Sequence, residues 1–237
     1  RGTTVIFHPD AQIFGERAHL RPGPLYRMAR SKAYLFRGVQ IRWKCDPALL
    51  KEGDEFPAED TLHFPGGLTD FIRAVLKDRP LVTRDVFNGT APLADDMGQV
   101  EWAVAWPDDD EEGFTNTYCN TVPTPEGGTH EAGFRNALTK GLRSFGEMLG
   151  NKKAGQITSE DVMNGAAVMV SLFIRDPQFQ GQTKDKLVSS EVTRLVENAV
   201  KDHFDHWLSG DKASATALLT RLIERADIAA AASHKVG

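Results

Sequence analysis

The stretch DPQFQGQTKDKLVSSE, from Asp176 to Glu191, joins a polar loop to the start of a helix. Its proline and glycine interrupt regular structure, so Gln182, Thr183 and Lys184 are predicted to lie on a turn. The nearly continuous apolar run before it, Ala166 to Ile174, is typical of a central strand covered on both faces. The sequence therefore predicts a strand, a polar loop and a helix in succession, which favours an α+β fold.

The helix after the loop is amphipathic. Ser189 or Ser190 is expected to cap its first turn. Apolar residues then recur at helical spacing and form one face, which should pack on a core and give the loop a rigid base. That face consists of Val192, Leu195, Val196, Ala199, Val200, Phe204, Trp207 and Leu208.

Two side chains of the loop are suited to contact a phosphate. Lys184 carries a point charge with three donors, and Gln182 carries a directed amide donor. Together they fit a terminal phosphate whose charge changes on hydrolysis. The same residue types are also common in solvated surface turns. From the loop alone, both interpretations stay open.

Upstream, alternation of Val100, Trp102, Val104 and Trp106 predicts a strand. The segment PDDDEEG and a returning strand from Phe114 to Val122 complete an apparent hairpin. The acidic run Asp108 to Glu112 is interpreted as the solvated tip of that hairpin. Adjacent carboxylates on a flexible loop lack the convergent geometry that a divalent ion requires.

A helix is predicted from about His130 to Leu149, after Gly127 and Gly128. The two glycines are interpreted as a tight strand-to-helix turn capped by Thr129, since a phosphate cradle would need a lysine or a third spaced glycine. His130 is expected to be a structural residue that bridges the turn to its neighbour. Farther along, Ser159 begins a capped turn, and the tail from Ala226 to Ala232 is helix-prone.

The first part of the chain mixes strands and helices. Predicted strands are Thr3 to Phe7, the alternating set Val39, Ile41 and Trp43, and Thr61 to Phe64. A turn at Arg21 to Pro24 leads into a basic helix, which contains Leu25, Met28, Ala29 and Leu35. A second helix is predicted from Gly66 to Asp78, and its inward residues are Leu68, Phe71, Ile72, Val75 and Leu76. The pattern weakens over Arg79 to Asp96, which places the domain boundary between residues 78 and 79. Because the first strand would expose a sheet edge, the chain is interpreted as a fragment of a longer polypeptide.

Composition restricts the function classes. At 237 residues, 41% of them hydrophobic, the chain has room for one large or two modest soluble domains. A net charge of −5 gives no overall attraction to nucleic acid, so contact with DNA would need a local basic patch. Cys45 and Cys119 lack metal-site spacing and are interpreted as reduced thiols in strands, which fits a cytoplasmic protein. No apolar run long enough to span a membrane and no leader pattern is present.

Several motifs resemble those of the B subunits of bacterial type IIA DNA topoisomerases. NTVPTPEGGTHEAGF (Asn120 to Phe134) and DPQFQGQTKDKLVSSEV (Asp176 to Val192) are similar to two long family motifs in the right order. GTTVIFHPD (Gly2 to Asp10) and GVQIRWKC (Gly38 to Cys45) resemble strand regions of the family's ATP-binding domain. Within the family, PQFQGQTK and KDHFDHWL (Lys201 to Leu208) look closer to the topoisomerase IV branch, ParE, than to the gyrase branch.

The resemblance implies a fold and site residues. Residues 1–78 would be the C-terminal part of a GHKL-type ATPase α/β sandwich. Residues 79–237 would be a transducer domain with a mixed sheet, packed helices, a left-handed βαβ crossover and a long C-terminal helix. Lys184 would be the catalytic residue that contacts the ATP γ-phosphate, with Gln182 beside it and Thr3 near the adenine; no metal ligand is implied.

Some family features have no counterpart here. Asp96, Met97 and Gly98 mimic the start of the adenine-binding Asp-x-Gly-x-Gly box, but the second glycine is missing. The family's water-activating Glu and magnesium-holding Asn also lack a helix to carry them. ATP and Mg²⁺ are thus expected in the full-length protein, without tight binding to or hydrolysis by this fragment. Lys140, Arg143, Lys152, Lys153, Arg221 and Arg225 are each interpreted as solvated unless they cluster on one face that could meet DNA.

The resemblance also implies partners. These are the ParC-like A subunit of topoisomerase IV, DNA, and a second copy of the B subunit on ATP binding, in an enzyme that couples ATP turnover to double-strand passage in chromosome segregation. The fragment itself is expected to be monomeric. Two alternatives remain: the equivalent part of the gyrase B subunit, and a stand-alone interaction module without enzymatic activity.

Overall fold

A computed structural model of the chain describes residues 1–233. The chain divides into two compact units, unit 1 from Arg1 to Gly67 and unit 2 from Leu68 onward. The segment 68–78, assigned to the first domain by sequence, packs with unit 2. The family domain boundary at residues 78 and 79 stays a prediction, and the end of the second domain, residues 234–237, lies outside the described residues.

Unit 1 has a small aromatic core between a helix and a two-stranded antiparallel sheet. Tyr26 on the helix meets Trp43 on the first strand edge-to-face, with ring centroids 5.5 Å apart, and its hydroxyl donates to the Asp60 carboxylate at 2.6 Å. The first strand alternates in burial, which confirms the predicted half-buried strand. The elements are α1 (Ala11–Phe14), α2 (Pro22–Leu35), β1 (Gln40–Lys44) and β2 (Glu59–His63).

Two predictions for unit 1 are wrong. The segment from Thr3 to Phe7 forms no strand, because Val5, Ile6 and Phe7 find no covering layer and are 70% or more exposed. The sheet edge from which a fragment was inferred is therefore not formed. The helix begins within the predicted turn, at Pro22, because proline fits the first helical turn, where its missing N–H costs no hydrogen bond.

Unit 2 is built on a five-stranded mixed sheet. Its elements are α3 (Leu68–Leu76), β3 (Phe87–Pro92), β4 (Gly98–Ala105), β5 (Phe114–Cys119), β6 (Val122–Pro123), α4 (Thr129–Met148), α5 (Ser159–Met163), β7 (Ala167–Ile174), β8 (Phe179–Gln180), β9 (Lys186–Leu187), α6 (Glu191–Gly210) and α7 (Lys212–Ser233).

Strand β7 occupies the centre of this sheet. The strand order is β3-β4-β7-β5-β6, and Val170 of β7 pairs with Trp102 of β4 on one side and Thr117 of β5 on the other. All but one of its residues are buried, which confirms the predicted central strand. The predicted hairpin of β4 and β5 is wrong, because the apolar β7 inserts between them, antiparallel to β4 and parallel to β5.

The connection from β5 through α4 to β7 joins parallel, adjacent strands and is a βαβ unit. Nearly all such units are right-handed on general grounds. The left-handed crossover remains what the resemblance implies.

Helices α4 and α6 cover one face of the sheet. An aromatic cluster joins them to it: Phe204 of α6 is fully buried, with its ring centroid 4.9 Å from that of Phe87 on β3. Gly141 of α4 makes the space, since a Cβ there would lie 2.6 Å from the Phe204 ring. The predicted inward face of α6 is confirmed, with Ala199 and Trp207 partly buried.

Helix α3 packs against β4 and β7. Leu68, Phe71, Ile72 and Leu76 are buried as predicted. Val75 was also expected to point inward, but it is 38% exposed because it lies on the border of the apolar face.

The acidic loop, Asp108 to Glu112, is solvated as expected, since all of its residues except Asp109 are exposed, but it is not the tip of a hairpin. Arg79 pairs bidentately with Asp109, at 2.6 and 2.8 Å, and holds the pKa of that carboxyl below its ordinary value. Arg221 of α7 forms ion pairs with Asp108 and Asp110, each at 3.2 Å. The carboxylates therefore tie the β4–β5 connection to α7.

Arg225, one turn farther along α7, binds the backbone of the same connection. Its guanidinium donates to the carbonyl oxygens of Pro107 and Asp109, at 3.1 and 2.6 Å. The other basic residues considered for DNA are mostly engaged as well: Lys140 pairs with Glu197, Lys153 pairs with Asp227, and Arg143 donates to the Ile157 carbonyl. Lys140 and Lys153 are nevertheless exposed, so the expected solvation is confirmed for them, whereas Arg143 is partly buried and the expectation is wrong for it. Lys152 is exposed.

Replacing Arg225 with methionine is expected to destabilise unit 2 by about 1–2 kcal/mol, because two carbonyl oxygens lose a charged donor. Urea unfolding followed by tryptophan fluorescence measures the change. The matched control is Arg175→Met, since Arg175 pairs with Asp96 at 3.0 Å in an exposed ion pair. Such a pair contributes about 0–1 kcal/mol. Equal losses in both variants would contradict a holding role for Arg225.

The two cysteines are free thiols. Cys119 lies in β5, and burial raises its pKa to about 11. Cys45 follows β1 and is half-buried. Within residues 1–233, every helix is too short or too polar to span a lipid bilayer.

Candidate functional site

The candidate site is a short hairpin between β7 and α6. Strands β8 and β9 pair antiparallel and enclose a loop of residues 181–185, which carries Gln182 and Lys184. The predicted turn is thereby confirmed, and both side chains are exposed. Thr3 lies exposed in unit 1 and is not part of this hairpin.

Lys184 has an unusual backbone. Its φ of +59° lies in the left-handed region, which is uncommon outside glycine. The Lys184 ammonium lies 5.8 Å from the centroid of the Phe179 ring on β8, within range of a weak cation–π contact. Within residues 1–233 no carboxylate forms an ion pair with it. The cation is thus held at the tip of the hairpin and is available to an anion.

The base of the hairpin is hydrogen-bonded to the turn before α4. The Glu126 N–H donates to the Asp185 carbonyl at 2.9 Å, and the Leu187 N–H donates to the Gly127 carbonyl at 3.1 Å. Gly128 forms a parallel bridge with Leu187. At φ +134°, with the Leu187 backbone where a Cβ would lie, only glycine fits at position 128. The sequence offered no means to predict this docking.

The predicted serine cap of α6 is wrong. Ser189 is buried, and its hydroxyl accepts a hydrogen bond from the Gln178 N–H at 2.9 Å. Ser190 precedes the helix with helical dihedral angles and makes no side-chain cap. Ser189 therefore fastens the start of the hairpin instead of the helix.

The turn before α4 is a tight strand-to-helix turn, as predicted, but its cap differs. Gly128 occupies the cap position, and Thr129 is the first helical residue. The Thr129 hydroxyl is buried and has no hydrogen-bond partner among the described residues. The expected threonine cap is therefore wrong, because the close approach of β9 requires glycine where the threonine would act. The capped turn at Ser159 is formed, with Thr158 as the capping residue in a capping box with Asp161.

Behind this turn lies a buried polar column of Thr117, Thr124 and His130. The Thr117 hydroxyl lies 2.9 Å from the Thr124 carbonyl and 2.6 Å from the Thr124 hydroxyl, and the latter lies 3.0 Å from His130 Nε2. If the Thr117 proton goes to the carbonyl, the Thr124 proton goes to Thr117, and His130 Nε2–H must donate to Thr124. His130 thus bridges the turn to its neighbour, as predicted.

His130 is fully buried, and burial lowers its pKa to about 4. The imidazole is therefore neutral near pH 7. Its Nδ1 has no hydrogen-bond partner within residues 1–233, in agreement with the single proton lying on Nε2.

No group of three or more histidine, cysteine or acidic side chains arranged for a metal ion occurs in the part of the chain that the structure describes. The segment Asp96 to Gly98 forms the β3–β4 turn, in which the Leu93 N–H donates to the Gly98 carbonyl at 2.8 Å. The role of these three residues in the turn is enough to account for their resemblance to an adenine-binding box.

Comparison with protein-family models matches residues 67–236 to DNA gyrase B. The chain belongs to the DNA gyrase B family. Among curated members, the B subunit of DNA topoisomerase 4 from Bartonella bacilliformis is 52% identical over 96% of this chain, and that from Caulobacter vibrioides is 51% identical over 96%. The DNA gyrase B subunit of Archaeoglobus fulgidus is 33% identical over 94%. This gyrase B family chain spans only about a third of each relative, 32 to 33% of their lengths.

Solved structures agree with the gyrase B family fold. The 43K ATPase domain of Thermus thermophilus gyrase B, in complex with an aminocoumarin, matches with a TM-score of 0.72 at 25% identity, over 96% of this chain and 58% of that one. The topoisomerase IV ATP-binding domain of Francisella tularensis, in complex with an inhibitor, matches with a TM-score of 0.70 at 24% identity, over 90% and 55%. The expected α+β class, with a mixed sheet and packed helices, is confirmed.

Proposed function

We propose that the chain is the part of a topoisomerase IV ATPase subunit that senses the γ-phosphate of ATP. In this proposal the complete protein couples ATP turnover to passage of one DNA duplex through another in the cytoplasm. Its partners are the ParC-like A subunit, DNA and a second copy of the B subunit. The observation that carries the proposal is the identity of 52% and 51% to relatives named as the B subunit of DNA topoisomerase 4, over 96% of the chain.

The site supports a sensing role for two residues. Lys184 presents an ammonium without a carboxylate partner in the described residues, on a hairpin hydrogen-bonded to the turn before α4. A cation held in this way, with the Gln182 amide beside it, fits a terminal phosphate by charge and donor number. ATP with Mg²⁺ would supply that phosphate in the complete protein. There Lys184 and Gln182 would hold the γ-phosphate, and Thr3 would lie near the adenine.

The first experiment compares Lys184→Ala with wild type in DNA-stimulated ATP turnover by the complete protein with its ParC-like partner. A charged hydrogen bond that forms only with the γ-phosphate contributes about 1.5–3 kcal/mol, so turnover is expected to fall about 10- to 100-fold. Lys186→Ala is the matched control, because Lys186 is an exposed lysine on β9 of the same hairpin.

Turnover near wild type for Lys186→Ala, together with the loss for Lys184→Ala, would support the sensor. Unchanged turnover in Lys184→Ala would reject it and leave the loop as a solvated turn. Stability of each variant is checked by thermal unfolding, so that a folding defect is not read as a catalytic one.

The gyrase B subunit is the second candidate, favoured by the 33% identity to the Archaeoglobus fulgidus protein. The two candidates differ in the activity of the reconstituted enzyme. Decatenation without introduction of negative supercoils would favour topoisomerase IV, and ATP-dependent negative supercoiling would favour gyrase.

A further inference from the structure

The sensor loop has few direct contacts of its own, so the position of Lys184 depends on what holds the hairpin base. Three backbone links join the base to the turn before α4: Glu126 N–H to the Asp185 carbonyl, Leu187 N–H to the Gly127 carbonyl, and the bridge of Gly128 with Leu187. The turn and the hairpin therefore move together.

The turn itself is fixed to the core by the polar column. Thr117 lies on β5, one strand from the sheet edge, and is bonded to Thr124 through both its hydroxyl and its backbone carbonyl, which accepts from the Thr124 N–H at 2.9 Å. His130 Nε2 completes the column from the first turn of α4. All three side chains are 5% exposed or less.

The hydrogen bonds of this column require defined positions of their donors and acceptors. Hydroxyl and imidazole donors accept few alternative geometries when they are shielded from water, and a buried donor without an acceptor is strongly disfavoured. A purely apolar contact at this place would hold the turn close to the sheet but would not define its register.

Resting on the proposed function, we propose that Thr117, Thr124 and His130 are positioning residues for Lys184. They fix the turn from residue 124 to residue 128 against β5 and α4, and the turn fixes the hairpin that carries the lysine. None of the three contacts nucleotide in this proposal; they act through Lys184.

The readout is the selectivity of the complete protein for the γ-phosphate. Affinities are measured by calorimetry for ADP and for the non-hydrolysable analogue with an imido bridge between the β- and γ-phosphates. Only the analogue presents the group that Lys184 is proposed to contact. A displaced Lys184 therefore lowers the affinity for the analogue and leaves the affinity for ADP unchanged. General structural damage changes the two affinities to the same extent, so their ratio stays constant.

Thr124→Val is the principal variant, because it keeps the shape of the side chain and removes the hydroxyl at the centre of the column. The ratio of analogue affinity to ADP affinity is expected to fall about three- to tenfold, the size of one lost hydrogen bond. Thr124→Ser should restore the ratio.

The matched control is Thr139→Val. Thr139 is a buried threonine of α4, the helix that carries His130, and its hydroxyl donates to the Arg135 carbonyl at 2.7 Å. It has the same side chain and burial but no connection to the turn, so the ratio should stay at the wild-type value.

The outcomes separate the inference from the proposed function. If Lys184→Ala lowers the ratio and Thr124→Val does not, the positioning role is rejected and the sensor remains. If Lys184→Ala leaves the ratio unchanged, the sensor itself is rejected, and the positioning role with it. Equal weakening of both ligands in Thr124→Val would also overturn the positioning role. Should Thr124→Val fail to fold, Thr117→Val provides the same test from the other end of the column.

Discussion

Replacing Phe204 with alanine is expected to lower the free energy of unfolding of unit 2 by about 3–5 kcal/mol. The side chain is fully buried where α6 meets the sheet, with ring centroids 4.9 Å from Phe87, 5.9 Å from Trp207 and 6.3 Å from Trp106. Truncation removes the transfer free energy of the ring and leaves a cavity that the rigid aromatic neighbours cannot fill. The loss should appear as a lower urea midpoint, followed by tryptophan fluorescence.

The control for this substitution is Met148→Ala at the end of α4. Met148 is 76% exposed, so its truncation removes little buried surface. The free energy of unfolding should change by no more than about 0.5 kcal/mol. A loss below about 1 kcal/mol for Phe204→Ala would mean that the aromatic cluster repacks, contrary to the expectation.

Acidification from pH 7 to pH 4 is expected to cost unit 2 about 3 kcal/mol through His130 alone. The folded-state pKa is about 4, against an ordinary value of 6.5, and burial is the cause. Between these two values the unfolded chain binds a proton that the folded chain does not. Stability is therefore full above pH 6.5 and falls as the pH drops towards 4.

The measurement is the unfolding free energy of wild type and of His130→Gln at several pH values between 4 and 7.5. The variant lacks the titrating imidazole and is expected to be less stable than wild type near pH 7, because glutamine does not reproduce the packing of the buried ring. The difference between the two proteins should shrink as the pH falls. Parallel curves would contradict the assignment of a buried neutral imidazole, and other titrating groups cancel in the comparison.

The sequence predicted local elements better than their pairing. The apolar run of β7 and the periodic faces of α3, α4 and α6 follow from burial, which is encoded along the chain. The order of strands does not follow from it: β4 and β5 are neighbours in sequence, yet β7, which follows a long helix, lies between them. The strand order depends on how all the strands of the sheet compete for partners, so no short stretch of sequence determines it.

For the site, the turn that carries Gln182 and Lys184 could be predicted because proline and glycine mark it. The roles of Ser189 and Thr129 could not. Both residues have side chains that commonly cap helices. The Ser189 hydroxyl instead accepts a hydrogen bond from the Gln178 N–H. At α4 the close approach of β9 places Gly128, not Thr129, at the cap position. In each case a tertiary contact overrides a local preference. The pair of threonines seven residues apart, Thr117 and Thr124, was the available signal for the buried column.

The left-handed backbone of Lys184 has a consequence for evolution in the laboratory. An L-residue at φ +59° is strained by roughly 1 kcal/mol relative to glycine. A library of variants selected for thermal resistance alone would therefore enrich glycine or asparagine at this position. The proposed contact of Lys184 with the γ-phosphate predicts that a library selected for growth dependent on topoisomerase activity would retain lysine. If the two selections enrich different residues at position 184, lysine at this position lowers the stability of the fold and is kept for the proposed function.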